Sequence, residues 1–296
     1  MHSLPGDSRA PAAPSLLPVL VHIQTHLADD LSLETLAQLS GLSPFHFHRR
    51  FRELIGETAK QYTQRLRLEQ AAYQLKMQPA QIVDIAFGTG YRSHETFARA
   101  FRRHFGVTPS AFRQRQRLQG RRLPREEVVL NSFQPAFSIG APSFRRWQPI
   151  TVAFIRHLGP YVDVDMTSFD RLLDWSQRRG LHQEDHLLIG VGHDDPTITP
   201  GSKLRFDACL QVAAPFNPVG EIGCQVIPGG YYAATTYIGP FGRTMEEAYG
   251  AVFTQLLAQT RFRIIGLPAI EIYRTTRINP DYVLNHTDIL LPVEQK

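Results

Sequence analysis

SHETFARAFRRHFGVTPSAFR, residues 93–113, is dense in arginine and histidine yet keeps its phenylalanines at helical spacing. SPFHFHRRFRELIGETAKQY, beginning at residue 43, aligns with it without a gap. Ser43 matches Ser93, Phe47 matches Phe97, Arg49 matches Arg99, Phe51 matches Phe101, Arg52 matches Arg102 and Gly56 matches Gly106. Each copy opens on a serine suited to N-capping, and Pro44 then occupies the first helical position of the first copy. Phe47, Phe51 and Leu54 fall at i, i+4 and i+7, the spacing of a core stripe, so Phe45, His48, Arg49 and Arg52 point away. In the second copy Phe97, Phe101 and Phe105 face inward, with Glu95, Arg99, Arg102 and Arg103 outward.

Outward from these helices the repeat continues. LSLETLAQLSGLS predicts a short helix capped by Ser32 and a turn at Gly41, and IVDIAFGTGYRS repeats it with a turn at Gly90. A short helix, a glycine turn and a second helix with a basic outer face form a helix-turn-helix, present twice. Before them PVLVHIQTHLADD is helical, with Val19, Ile23 and Leu27 on one stripe. Between them ETAKQYTQRLRLEQAAYQLKMQ predicts one long helix with Leu68, Ala71, Ala72 and Leu75 inward. Roughly twenty helical residues span about 30 Å, close to the ~34 Å between successive major-groove faces of B-DNA. A monomer can therefore place two reading helices on one duplex.

Composition agrees. At 296 residues, two domains are the natural expectation. Residues 1–125 hold 18 Lys+Arg against 9 Asp+Glu, whereas residues 126–296 hold 14 against 18. A basic first half beside a mildly acidic second suits a polyanion partner for the first alone. Two cysteines, Cys209 and Cys224, give neither a disulfide framework nor a cysteine zinc spacing. His22 and His26 stand one turn apart without a third ligand, and His46 and His48 diverge on their helix, so no metal and no cofactor is expected. No run of 18 apolar residues and no secretion signal are present, and the cytoplasm is the expected location. Residues 1–18 read as a flexible tail, 19–113 as the double helix-turn-helix domain, 114–127 as a polar linker, and 128–293 as a second domain.

The second domain carries its own repeat. Gly159-Pro160-Tyr161 precedes Gly239-Pro240-Phe241 by 80 residues, and RFDACLQV resembles HTDILLPV, with Asp207 and Asp288 81 apart. Each copy reads strand-helix-strand-strand, so the expected fold is all-α followed by an α+β tandem repeat with a pseudo-two-fold axis and a cleft between the halves.

SLETLA, the helix from Ser43 to Gly56, RLRLEQA, IVDIAFGTGY, SHETFARAFRRHFG and TPSAFR resemble the AraC/XylS family of transcription regulators. That resemblance implies base reading by Phe45, His48 and Arg49 in the first unit and by His94, Glu95, Thr96 and Arg99 in the second. Arg49 and Arg99 suit guanine, whose O6 and N7 accept a guanidinium bidentately, while Arg52, Arg102 and Arg103 suit phosphates. LGPY, IGPF, IPGGYYA, PAIEIY and TDILLPV resemble the GyrI-like effector-binding domain, and the order of the two matches the Rob-type subgroup. The resemblance implies an activator controlled by a small amphipathic molecule, with double-stranded DNA and RNA polymerase as partners. Glu271 is then the pocket carboxylate, with Tyr273, Tyr231, Tyr237, Trp175 and His157 as wall candidates. A carboxylate walled by aromatics favours a cationic effector. The repeat offset places Gly190 where Glu271 stands, so the site is asymmetric. Some GyrI-like domains resemble hydrolases of electrophiles, and Glu271, Tyr273 and Trp175 offer that alternative.

Overall fold

The structure is a computed structural model, which describes residues 15–121, 137–182, 185–257, 261–266, 268–274 and 285–295. Most of the expected tail, residues 122–127 of the expected linker and the first residues of the second domain lie outside the described residues.

Among the described residues seven helices build the first half: α1 (Leu17–Thr25), α2 (Leu33–Ser40), α3 (Pro44–Ile55), α4 (Ala59–Met77), α5 (Ile82–Gly88), α6 (His94–Phe105) and α7 (Pro109–Arg121). The side chains of Ser32, Ser43 and Ser93 each accept a backbone N–H at the starts of α2, α3 and α6. Thr58 and Gln61 form a reciprocal capping box at the start of α4. Phe47, Phe51, Phe97 and Phe101 are fully buried. Leu54 departs from the expected stripe and is 56% exposed. The inward place in the last turn of α3 goes instead to Ile55, four residues after Phe51.

Two expected boundaries move. The tail ends earlier, because Leu16 is buried and Pro18 sits in the first turn of α1, where its missing N–H costs nothing. The linker begins later, because α7 continues through residues 114–121. Arg and Gln are good helix formers, and α7 is anchored by Phe112 against Phe101 and Phe105, with Arg113 donating to the Ala80 carbonyl at 2.6 Å. Arg67 of α4 binds the two helix-turn-helix units together. Its Nε donates to the Leu27 carbonyl and its Nη2 to the Asp29 carbonyl, both at 2.7 Å. The turn glycine of the second unit, Gly90, lies against this guanidinium at φ +84°, and a Cβ there would meet Leu27 O at 2.6 Å.

The second half contains β1 (Ser138–Ile139), β2 (Ser143–Trp147), β3 (Ile150–Leu158), α8 (Thr167–Arg179), β4 (Leu188–Gly192), β5 (Arg205–Gln211), β6 (Ile222–Ile227), β7 (Gly230–Gly239), α9 (Arg243–Leu257), β8 (Phe262–Ile264), β9 (Ala269–Tyr273) and β10 (Asn285–Gln295). One antiparallel sheet runs in the order β7-β10-β9-β4-β5-β3-β6, with β1 and β2 on β7 and β8 on β10. That order is symmetric about the β9–β4 pair. Gly190 lies directly opposite Glu271, its own repeat equivalent, so the pseudo-two-fold axis passes between them. Each repeat also gains a first strand, β2 or β6, that pairs with the other copy. The links β2–β3 and β6–β7 meet: a Cβ on Gly229 would lie 2.8 Å from Pro149 Cδ. The sheet is therefore curled until its ends touch.

The repeat also places the two aspartates. Burial alone would raise the Asp207 carboxyl, but Arg156 (2.7 and 2.8 Å) and His193 (2.7 Å) hold it well below the usual range. Asp288 accepts from Thr236 at 2.8 Å and Arg274 at 2.5 Å. Thr236 and Arg274 stand one repeat on from Arg156 and His193, so each carboxylate keeps one guanidinium, delivered from a different strand.

Helices α8 and α9 cover one sheet face; the first half packs on the other. Leu17 and Val21 of α1 join the core of Val152, Phe154, Ile189 and Tyr232. Lys76 pairs with Asp195 at 2.7 Å, and Gln78 donates to the Ile265 carbonyl at 3.0 Å. Glu69 of α4 is also buried at this junction. Burial pushes its carboxyl up to about 7, against the opposing pull of Arg65 at 3.0 Å.

The raised value fixes a pH dependence. From its usual 4.5 up to about 7, the folded chain holds a proton on Glu69 that the unfolded chain has lost, so stability falls as pH rises through that window. Urea denaturation should show Glu69→Gln flattening this slope and gaining on the order of 2 kcal/mol relative to wild type from pH 5 to pH 8.

Candidate DNA interface and effector site

Helices α3 and α6 present their polar faces to solvent. Phe45, His48, Arg49 and Arg52 are exposed on α3, and His94, Glu95, Thr96, Arg99, Arg102 and Arg103 are exposed on α6. Phe45 is 73% exposed, on the same outer face of α3 as His48 and Arg49. Arg49 approaches Glu53 at 3.7 Å, but both are exposed and the pair is weak. Among the described residues, no ion pair engages Arg52, Arg99, Arg102 or Arg103. The two basic faces are joined by α4, whose 19 residues span about 28 Å.

The effector-site candidates divide. Glu271 of β9 is 9% exposed and accepts from Tyr273 Oη at 2.6 Å and Tyr249 Oη at 2.8 Å. Burial raises its carboxyl above the ordinary range, and the two hydroxyls pull it back only in part. Tyr273 packs edge-on against Phe169 of α8 and against Phe241, and it belongs to the same core as Trp175. These groups sit on the helix-covered face, at the pseudo-two-fold axis.

Three expected wall residues do other things. Tyr237 is fully buried, but its hydroxyl donates to the Pro240 carbonyl. His157, its repeat equivalent, bonds the Pro160 carbonyl at 3.1 Å through Nε2. Both pin the Gly-Pro turn that leads into their helix. Tyr231 is 56% exposed, four residues along β7 from Thr235, which shares Ile289 as cross-strand partner with Glu271. That separation is about 13 Å along the strand.

Tyr249 and Phe169 were not among the candidates. They are repeat equivalents, 80 residues apart, one on each helix. Taking Trp175 as the helical wall candidate passes over the partner that α9 delivers from above. The signal lay in the helical part of the repeat, TSFDRLLDW beside EEAYGAVF.

Residues 36–115 match the family described as a helix-turn-helix domain, and residues 141–294 match the GyrI-like small molecule binding domain. The chain is 36% identical over 95 residues to the HTH-type transcriptional activator AarP of Providencia stuartii, covering 32% of this chain and 70% of AarP. It is 39% identical over 93 residues to regulatory protein SoxS of Salmonella typhimurium, covering 31% of this chain and 87% of SoxS. To the right origin-binding protein of Escherichia coli it is 34% identical over 95 residues, about a third of each.

The seam beside Glu271 has no spare room. A Cβ on Gly190 would lie 2.5 Å from Tyr273 Oη and 2.6 Å from Phe206 Cζ. Gly190→Ala should therefore push the Tyr273 hydroxyl off Glu271 and cost about 1–3 kcal/mol in urea denaturation. Gly192→Ala, whose Cβ would meet nothing closer than 3.7 Å, is the control and should be nearly silent.

Proposed function

The chain belongs to the AraC-type helix-turn-helix regulators that carry a C-terminal GyrI-like small-molecule-binding domain, and from this premise we propose that it activates transcription as a monomer on an asymmetric site of about two helical turns. The observation that carries the reading is the pair of exposed basic helices, α3 and α6, fixed to one strut. Arg49 and Arg99 read guanines, and Arg52, Arg102 and Arg103 hold phosphates. RNA polymerase is the further partner of an activator, a role that the description of AarP supports. Among the described residues no helix is long and apolar enough to cross a membrane, and we place the protein in the cytoplasm with its DNA.

The effector binds at Glu271. Its carboxylate is buried among Tyr249, Tyr273 and Phe241, with hydroxyls but, among the described residues, no Lys or Arg within hydrogen-bonding distance. A cationic group with an apolar body is the occupant such a site favours, since it repays the desolvation of the carboxylate and meets aromatic faces. Entry requires that one tyrosine hydroxyl yield its place. We read the site as binding rather than hydrolytic, because both carboxylate oxygens already accept a hydroxyl.

In electrophoretic or fluorescence titrations, Arg49→Ala and Arg99→Ala should each cost about 1–3 kcal/mol and relax preference at one base pair. Arg102→Ala should weaken all duplexes alike and reduce the salt slope by about one. Equal binding of specific and scrambled duplexes would overturn the DNA reading.

Calorimetry with a matched cationic and anionic amphiphile tests the second site. Glu271→Gln should cost the cation at least tenfold and leave the anion unchanged. Equal loss of both, or turnover of an electrophile that this substitution abolishes, would overturn the effector reading.

A further inference from the structure

A second cleft lies away from Glu271. A space of about 340 Å³ lies between the two halves of the chain, on the sheet face opposite α8 and α9. Helices α1 and α4 supply one wall, with Val21, Gln24, Glu69 and Tyr73. The second half supplies the other, with Val191, Thr199 and Arg205. A dry cavity of ~150 Å³ already admits benzene, so this space is large enough for a substituted aromatic ring.

Several polar atoms of its lining residues are unmet. Glu69 Oε1, Tyr73 Oη, Thr199 Oγ1 and Arg205 Nη1 are buried and have no hydrogen-bond partner among the described residues. Gln24 Oε1 shares that condition. Each of the first four residues is over nine-tenths buried, at 6%, 4%, 2% and 6% exposure. Buried polar groups are almost always paired, so several unpaired ones on residues that line a single cleft point to an occupant that draws them in and pairs them.

The lining also limits that occupant's charge. Arg205 is the cleft's guanidinium, and its Nε and Nη2 are already committed to Asp194 at 3.0 and 2.7 Å. Asp194, Asp195 and Glu69 line the same space, so an anion would face carboxylates. A cation would satisfy Glu69 and Gln24 but leave Arg205 Nη1 facing a like charge. Arg205 can only donate and the Gln24 amide oxygen accepts, while the Glu69 carboxyl accepts above about pH 7 and donates below it. A neutral molecule with an acceptor and a donor on an apolar ring meets all of these demands, and Val21, Val191, Ile198 and Ile227 can flank the ring.

We propose that this interdomain cleft is a second small-molecule site, separate from Glu271, for a compact uncharged aromatic carrying adjacent hydrogen-bond acceptor and donor groups, as a carboxamide does. Its occupant touches the DNA-binding and effector-binding halves at once.

Three isosteric probes test this: benzamide, benzoate and benzamidine, each titrated into the full chain labelled at isoleucine methyls. Benzamide should shift Ile198 and Ile227, which line the cleft, in a saturable way and leave Ile289, in the α9 core, unmoved. It should bind at least fivefold more tightly than either charged isostere. Tyr73→Phe with Thr199→Val should weaken benzamide at least tenfold. So should Gly266→Leu, which adds a side chain where a Cβ meets nothing within 4 Å and removes no polar group. Glu271→Gln should leave the affinity unchanged. Absence of saturable shifts, stronger binding of a charged probe, or equal sensitivity to Glu271→Gln would each overturn the proposal.

Discussion

The antiparallel pairing of β4 with β9 is the constraint on which the second half depends. Neither repeat can cover its own sheet edge, so each uses the other's, and the axis falls where Gly190 faces Glu271. Two large side chains cannot share that point. With glycine on one strand, the Tyr273 hydroxyl fits above it and reaches Glu271 at 2.6 Å. Asymmetry at the axis thus follows from packing and is what lets a buried carboxylate exist there. The exchanged first strands, β2 and β6, tie the two copies together a second time, at their outer strands β7 and β3.

In the first half the corresponding constraint is rigidity between the two basic helices, α3 and α6. Helix α4 contributes eleven buried residues along 19, so it serves both helix-turn-helix cores at once. Arg67 adds directional bonds that a purely apolar strut would lack, because its guanidinium fixes the loop at Leu27 and Asp29 against the Gly90 turn. Spacing between α3 and α6 is thereby set by one helix and one side chain.

Much of this was legible in the residues. The duplicated serine caps, the phenylalanine stripes and the outward arginines were all readable, because local spacing decides them. Leu54 was misplaced because periodicity does not say where a helix outruns its neighbours. The α7 extension was missed because a charged run of Arg and Gln suits an exposed helix as well as a linker. In the second half the repeat located Glu271 opposite Gly190, but assignment of aromatics by strand face favoured Tyr231 and His157. Tyr249 arrives from a helix, and only the tertiary fold puts it 2.8 Å from the carboxylate. The cleft between the halves had no sequence signal, since Glu69, Tyr73, Thr199 and Arg205 come from separate segments.

The two faces of β5 offer a physical path between the Glu271 pocket and the helical half. Successive residues point to opposite sides of a strand, so Phe206 faces the Gly190–Tyr273 contact while Arg205 and Asp207 face the DNA-binding half. Tyr161 spans the same divide. Its ring packs 6.1 Å from Phe206, and its hydroxyl donates to the Asp194 carbonyl at 2.9 Å and accepts from the Asp194 amide at 3.0 Å. Asp194 in turn holds Arg205, beside Glu69 on α4. A ligand that displaces the Tyr273 hydroxyl must repack Phe206, and Phe206 cannot move without its neighbour on the strand. The two sites therefore need no long lever between them: the sheet itself is the partition, with Glu271 on one side and α4, the strut of α3 and α6, on the other.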